Sequence, residues 1–327
     1  MNRLISTQEA AKQIAAGKFL SLAAPEDVLA SLPPGQWVGG TIPYFMDEAG
    51  GVVRTEGMVF VTELPASAGT RIAHYGAGEL DKLVANGPDN GFSIAIVPAG
   101  SKAHQGFAEN AMNEADALLK PTVGWVSGVH LSEIGQRSPK VFDGRTVEAH
   151  ADGIMVVHVT LPPEQLASVE IVNIFEPGDG DILTFDSTSF QVGDCLINGE
   201  RRNFAQYLAE HGLDDGKLPL VGDFGGARIN VSIQSVNAQD QRVDLFAPVF
   251  TGVDYRFARP VSDYCETFRQ RLENFDTGGV SFSCNCILNF LFGELEGRNI
   301  GKLCGPVTFG EIGYQLLNQT LVVLRIR

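Results

Sequence analysis

Apolar residues recur at two spacings along this chain, and the switches between the two mark its elements. Val280 to Ser283 alternates apolar and small polar residues, as a half-buried strand does. Ile287 to Leu295 carries apolar residues at helical spacing, with Gly297 placed to end the run. Leu303 to Phe309 returns as a strand, Gly310 permits a sharp turn, and Leu321 to Ile326 is apolar enough to lie inside a sheet. The Gly305-Pro306 pair points to an edge position or a bulge, because proline has no N–H for a ladder.

The same reading applies from the beginning of the chain. Ser6 and Glu9 are spaced as a capping box, predicting a helix from Thr7 to near Gly17. Pro25 suits the first turn of a second helix ending near Leu32. Gln36 to Thr41 and Met58 to Glu63 read as strands around the glycine-rich turn at Gly50-Gly51. A helix over Gly78 to Asn86 is followed by a buried strand, Phe92 to Val97. A long helix, Lys102 to Leu119, and a strand, Thr122 to Val129, complete a crossover unit. Trp125-Val126-Ser127-Gly128 echoes Trp37-Val38-Gly39-Gly40. Phe142-Asp143-Gly144-Arg145 signals a hairpin, with Asp-Gly supplying two positive-φ positions. Ile154 to Leu161 is a further strand, and Pro162-Pro163 marks the best boundary between halves.

Beyond it, Val169 to Phe175 and Ile182 to Phe185 read as strands, and Cys195 to Gly199 as a strand entering a tight turn. Glu200 to His211 reads as an amphipathic helix with Phe204, Tyr207 and Leu208 on one face. Arg228 to Val236 and Val243 to Val249 form a strand pair, and Val261 to Leu272 a helix. Gly39 to Thr41 with Met58 to Glu63, and Gly305 to Thr308 with Leu321 to Ile326, look like two copies of one device, which suggests an internal repeat.

Composition narrows the function classes. The chain has 327 residues, 44% of them hydrophobic and 19% charged, as in a globular protein of one large or two ordinary domains. A formal charge of −15 argues against nucleic acid and against an anionic membrane surface, both of which need clustered Lys and Arg. There is no apolar run of membrane-spanning length and no signal-peptide pattern, so the expectation is a cytoplasmic protein. Five cysteines without regular spacing do not make a disulfide framework.

The order Phe282-Ser283-Cys284, then Gly305, Thr308, Gly310, Glu311 and Ile312, then Asn318-Gln319-Thr320-Leu321 resembles the C-terminal half of the FIST family. That family is regarded as a sensory, ligand-binding module of signalling proteins. The resemblance extends through Trp37 to Leu64, Phe92 to Val97 and Gly124 to Val159 for an N-terminal half. It continues through Leu196 to Gly199 with the following helix, Arg228 to Val253 and Val280 to Leu324 for the other. One departure bears on ligand binding: Cys286-Ile287 stands where the family tends to have Gly-Arg.

The chemistry-bearing residues each admit two readings. Gly39, Gly40, Thr41, Gly128, Gly305 and Thr308 could bring backbone N–H groups to a ligand, or simply allow tight turns. Glu311, at a turn beside them, could receive the ammonium of an amino-acid-like ligand, or pair locally. Cys284, at a strand-to-helix junction, could be an activated thiol served by His130, His150 or His158, or an unreactive buried one. Cys284, Cys286 and Cys304 could converge on a metal or be small buried hydrophobes. Asn318 reads as a turn-former or a ligand contact. His74, His104 and His211 stand alone and read as surface or core residues. Gly297 to Leu303 and Gly76 to Gly78 fail as phosphate and dinucleotide loops.

The expectation is therefore an α/β (α+β) protein of two related halves, residues 1–161 and 162–327, with mixed β-sheets covered by helices and packed as one compact body. It would bind a small polar metabolite, for example an amino acid, at Gly39, Gly40, Thr41, Gly128, Cys284, Gly305, Thr308 and Glu311. It would use no cofactor or metal, and would signal to a separate protein partner. The alternative is a hydrolase or transferase using Cys284.

Overall fold

In the computed structural model, which describes residues 2–65, 69–114, 116–224 and 226–327, one strand pattern occurs three times. The first unit holds Asn2–Ser6, the helix Thr7–Ala15, Leu20–Ala24, the helix Glu26–Ala30, Trp37–Thr41, the hairpin Tyr44–Asp47 with Gly50–Val53, and Met58–Glu63. In its sheet the last strand lies between the first two, and Leu20–Ala24 runs parallel to Trp37–Thr41. The second unit repeats this with Gly69–Tyr75, Gly91–Pro98, Thr122–Ser127 and Ile154–Thr160. The third repeats it with Ala167–Asn173, Val280–Cys286, Gly305–Thr308 and Thr320–Ile326. A helix follows each of the first two strands in every unit.

The hairpins are exchanged. The first unit's hairpin, Tyr44–Asp47 with Gly50–Val53, pairs with Gly305–Thr308 of the third unit. The third unit's hairpin, Glu311–Gly313 with Gln315–Leu317, pairs with Thr122–Ser127 of the second. The second unit's hairpin, Val141–Asp143 with Glu148–His150, pairs with Trp37–Thr41 of the first. Each sheet has six strands, two of them borrowed, and the exchange closes after three steps. Borrowing covers an edge strand that would otherwise present unpaired N–H and C=O groups. The division at 161/162 falls at the seam between the second and third units, so the first 161 residues hold two units. The repeat is threefold.

The protein is mixed α/β, with several mixed sheets packed as one compact body. The largest core cluster draws on all three sheets, through Val38, Phe60, Ile94, Trp125, Phe282, Val322 and Leu324. Between Asn173 and the helix Tyr264–Glu273 the third unit carries an insert with its own core, formed by Leu183, Phe204, Leu220, Val243 and Tyr255 among others. The insert's helix Phe204–His211 and the sheet from Glu200–Asn203 to Ala227–Val231 stack beside a three-stranded sheet, Ser189–Val192, Arg242–Val249 and Ile233–Asn237. No helix among the described residues is long and apolar enough to cross a membrane.

Several elements differ from expectation for local reasons. The helix from Lys102 ends at Asn110, because Leu118 and Leu119, which seemed to continue its stripe, face solvent. Residues Glu200–Asn203 form a strand: Asn198 and Gly199 both have positive φ and make a two-residue hairpin turn. Asn203 then caps the helix, accepting the Gln206 N–H at 3.1 Å. At the Asp143-Gly144 hairpin the positive φ falls on Val147, and Asp143 instead accepts the Arg145 N–H and guanidinium. Gly305-Pro306 lies inside its sheet, not at an edge: residues 305–306 pair with Met46 and Phe45, residues 307–308 with Asn285 and Cys286. Glycine is required there, since a Cβ at Gly305 would stand 2.1 Å from the Ser283 carbonyl oxygen.

That close approach predicts a backbone-level clash. Gly305→Ala should lower stability by about 1–3 kcal/mol in urea unfolding. Gly180→Ala, with nothing within 4 Å of its Cβ, should change it by no more than about 0.5 kcal/mol. Equal midpoints for the two would contradict the packing described.

Candidate functional site

Strand exchange brings several of the expected site residues together. The Gly128 N–H donates to the Thr41 carbonyl at 2.7 Å, and the Val126 N–H to the Gly310 carbonyl at 2.8 Å. The ends of the third strands of all three units therefore meet. No hollow lies where the glycines' missing side chains would point, however. A Cβ on Gly40 would be 2.6 Å from the Trp125 indole and from Ile96, and one on Gly128 would be 2.4 Å from the Phe309 ring. Gly39 packs against the Leu22 carbonyl and Trp37. These glycines admit protein rings and backbone, which corrects the expected grip on a ligand. Thr41 and Gly128 do face a cavity on their other side; Gly39, Gly40, Cys284, Gly305, Thr308 and Glu311 line neither of the two cavities described below.

Glu311 is fully buried, pairing locally instead of awaiting a ligand. Its Oε2 accepts the Thr320 hydroxyl at 2.7 Å and the Thr320 N–H at 3.2 Å. Burial pushes its pKa up to about 8, against the weaker opposing pull of Thr320 and the Cys286 thiol beside it. At neutral pH the carboxyl is mostly protonated. Oε2 accepts both Thr320 donors, while Oε1 meets no partner within hydrogen-bond geometry among the described residues and the Cys286 thiol lies beside the carboxyl.

Cys284 and Cys286 point to the same side, as expected two apart on a strand, and both are 1% exposed. The Cys284 thiol donates to the Gly124 carbonyl at 3.2 Å. Burial, then the Glu311 carboxyl, raises both thiols well above their ordinary value. The strand runs on to Cys286, so Cys284 stops short of the helix Ile287–Phe292 whose dipole was expected to activate it. The three candidate bases are engaged elsewhere. His158 is buried between Ser93 Oγ at 2.8 Å and Tyr75 OH at 2.9 Å, with burial lowering its pKa to about 4. His130 bonds Ser132, and His150 stacks on His74. The Cys304 thiol lies 3.9 Å from the Lys302 carbonyl, and burial, then Asp47 and Glu48, raises it to about 11.

A buried polar network surrounds the turn Asn318-Gln319. Gln319 accepts the Ser232 hydroxyl at 2.6 Å and donates to Tyr264 OH at 3.2 Å. Tyr264 donates to Asn289, whose amide donates to the Thr320 carbonyl at 2.9 Å. The Asn230 amide reaches the Asn318 carbonyl at 3.2 Å. Ser232 and Asn230 belong to the insert, so this turn is where the insert is fastened to the three units.

The same turn forms part of the wall of a cavity of about 700 Å³. The second unit supplies Ala99 to Ser101, His104 and Val129; the third supplies Ile287, Leu288, Leu291, Phe309 and Asn318; the insert supplies Phe190, Leu245 and Phe246. Apolar atoms make most of its surface, joined by polar and charged side chains such as Ser101, Gln105, Glu109, Arg137, Gln234 and Asp244. Asn318 is 1% exposed, and its Oδ1 has no partner among the described residues. His104 Nδ1 accepts the Gly100 N–H at 3.3 Å, which places the ring proton on Nε2, also buried and without a partner. Burial lowers the His104 pKa to about 4, so the ring is neutral at pH 7. A second cavity, about 550 Å³ and more polar, lies at Thr41, Gly128, His130 and Glu133. Arg137 borders both, held by Asp27 at 3.5 Å and Glu133 at 3.6 Å. His104, set aside as a lone histidine, and Asn318, read chiefly as a turn-former, are thus two of the polar residues that line the larger space. Their convergence depends on contacts across 214 residues of sequence, which no local pattern reports.

A family model described as a family of unknown function (DUF6976) matches residues 5–327, and the chain belongs to that family. No curated protein matches it.

Two outcomes follow from this chemistry. A carboxyl whose pKa is raised from 4.5 to about 8 on folding contributes full stability below pH 4.5 and loses it as pH rises to about 8. Its share of the slope approaches about −1.4 kcal/mol per pH unit. Urea unfolding between pH 5 and 8.5 should show that decline in the parent protein and a shallower one in Glu311→Gln; parallel curves would refute the assignment. For the thiols, iodoacetamide at pH 7 followed by mass spectrometry should modify the half-buried Cys265 first, and Cys284 and Cys286 only after denaturation. Rapid native labelling of Cys284 would restore the cysteine-dependent enzyme as a candidate.

Proposed function

We propose that this protein is a small-molecule-binding sensory module whose ligand occupies the cavity between the second unit, the third unit and the insert. The observation that carries this reading is Asn318 Oδ1, a buried acceptor left without a partner in the wall of a mainly apolar space. A buried polar atom of this kind loses about 1–3 kcal/mol when unsatisfied, and a ligand can restore that.

The sensory half of the proposal rests on what the cavity adjoins. A molecule touching Asn318 touches the turn that Asn230 and Ser232 use to hold the insert. Binding would thereby favour one placement of the insert over others, and a ligand shifts an equilibrium only through such differential contacts. The resemblance to FIST domains supports the same class of function. A separate signalling protein would then read the insert. This ligand site differs from the one expected at the glycine turns: the larger cavity is lined by Val129 and Phe309, next to Gly128, and by none of the residues expected to grip a ligand.

A thermal-shift screen of neutral, mainly apolar metabolites tests the proposal. A ligand at 100 times its Kd should stabilise the protein by about 2.7 kcal/mol. Leu291→Arg, at a position 41% exposed on the cavity rim, should leave the melting temperature near the parent value and abolish the response. Absence of any stabilising compound, or undiminished responses in Leu291→Arg, would defeat the reading.

A further inference from the structure

The polar groups of the larger cavity also specify a ligand class, an inference that rests on the binding reading above. The wall holds one donor without a hydrogen-bond partner among the described residues, His104 Nε2–H, and two such acceptors, Asn318 Oδ1 and Asp244 Oδ1. Around them stand apolar side chains, including Phe190, Leu288, Leu291 and Phe309.

The charges on the wall are already engaged. Asp244 is paired with Arg242 at 3.2 Å, and Arg137 with Asp27 and Glu133. Glu109 accepts the Gln105 amide at 3.0 Å and adds negative charge near the rim. An anion would meet Asn318 Oδ1 and these carboxylates as repulsion. A cation would leave the His104 donor unsatisfied. An ester or ketone satisfies His104 only. A neutral group that both accepts, as His104 asks, and donates, as Asn318 asks, is a primary or secondary carboxamide, a lactam or a hydroxyl. We infer that the cavity takes a neutral ligand with a group that both donates and accepts, a carboxamide, lactam or alcohol, carried on an aromatic or aliphatic body.

The histidine keeps its donor across the useful pH range. Burial holds its pKa near 4, and the Gly100 N–H fixes the tautomer from the other side of the ring. Phe190, 5.8 Å away, sets the ring's orientation. The geometry is therefore prepared before a ligand arrives, which reduces what binding must organise.

Isothermal titration calorimetry with four related probes tests this: 4-phenylbutanamide, its N,N-dimethyl amide, the methyl ester and 4-phenylbutanoate. The primary amide should bind about tenfold or more tightly than the other three, the size expected for one buried hydrogen bond left unmade. His104→Phe keeps a ring against Phe190 but removes the donor, and should reduce the affinity of the amide and of the dimethyl amide alike by about tenfold, leaving the preference for one over the other unchanged, since both offer His104 a carbonyl. Asn318→Leu should remove the preference for the primary over the dimethyl amide. If Asn318→Leu does not fold, His104→Phe alone still decides. Equal binding of amide and ester, or tighter binding of the carboxylate, overturns the ligand class and leaves the cavity as a binding site. If the four probes fail while the broader screen finds only ligands that lack a neutral donor-and-acceptor group, the class is likewise overturned. If no compound in either set binds, the binding reading itself falls, and this inference with it.

Discussion

A carboxyl group with no path to water joins two sheets of this protein. The backbone of Glu311 pairs with Trp125 in the second unit's sheet, while its side chain takes both donors of Thr320, the first residue of the C-terminal strand in the third unit's sheet. Ionised, that group would carry a desolvation penalty of several kcal/mol. Held neutral, it becomes a hydrogen-bonding part small enough to fit where the hairpin crosses from one sheet to the next. The neighbouring thiols follow from the same condition, since Cys284 and Cys286 present little polarity to a buried acid.

That crossing occurs three times, and it explains why the chain packs as one body. Each unit finishes its third strand and sends a hairpin to the next sheet, so no unit can complete its own hydrogen bonding alone. The insert is different. It enters the third unit between Asn173 and Tyr264, encloses its own apolar core, and is tied to the rest through Asn230, Ser232 and the Asn318-Gln319 turn. A rigid ring with one separately folded addition leaves its poorest packing where the two meet, and the larger cavity is found there.

Much of this arrangement was legible from residue patterns. Trp37-Val38 and Trp125-Val126 mark the third strands of the first two units, and the likeness between Gly39 to Glu63 and Gly305 to Ile326 pairs the first with the third. The threefold count was not legible, because the third unit has no Trp-Val pair to mark it, Trp37 and Trp125 themselves packing in different core clusters, and the insert separates its first strand from its second by over a hundred residues. Leu20–Ala24 escaped notice for a simpler reason. Its Leu, Ser and Ala residues carry no β-branched signal, and only burial on both faces makes it a strand.

The candidate site divided along the same physical line. A glycine reports that something approaches the backbone closely, but not whether that something is a ligand or another part of the chain. Here Trp125 and Phe309 approach Gly40 and Gly128, so the space inferred from missing side chains is filled by aromatic rings. The informative residues were those whose polarity remains unspent after folding. Asn318 and His104 look ordinary in sequence because a turn asparagine and a helical histidine usually find partners nearby. Both do use their inner atoms in that way, through Leu317 and Gly100. What distinguishes them is the atom left over, and that appears only once the second unit, the third unit and the insert enclose a common space.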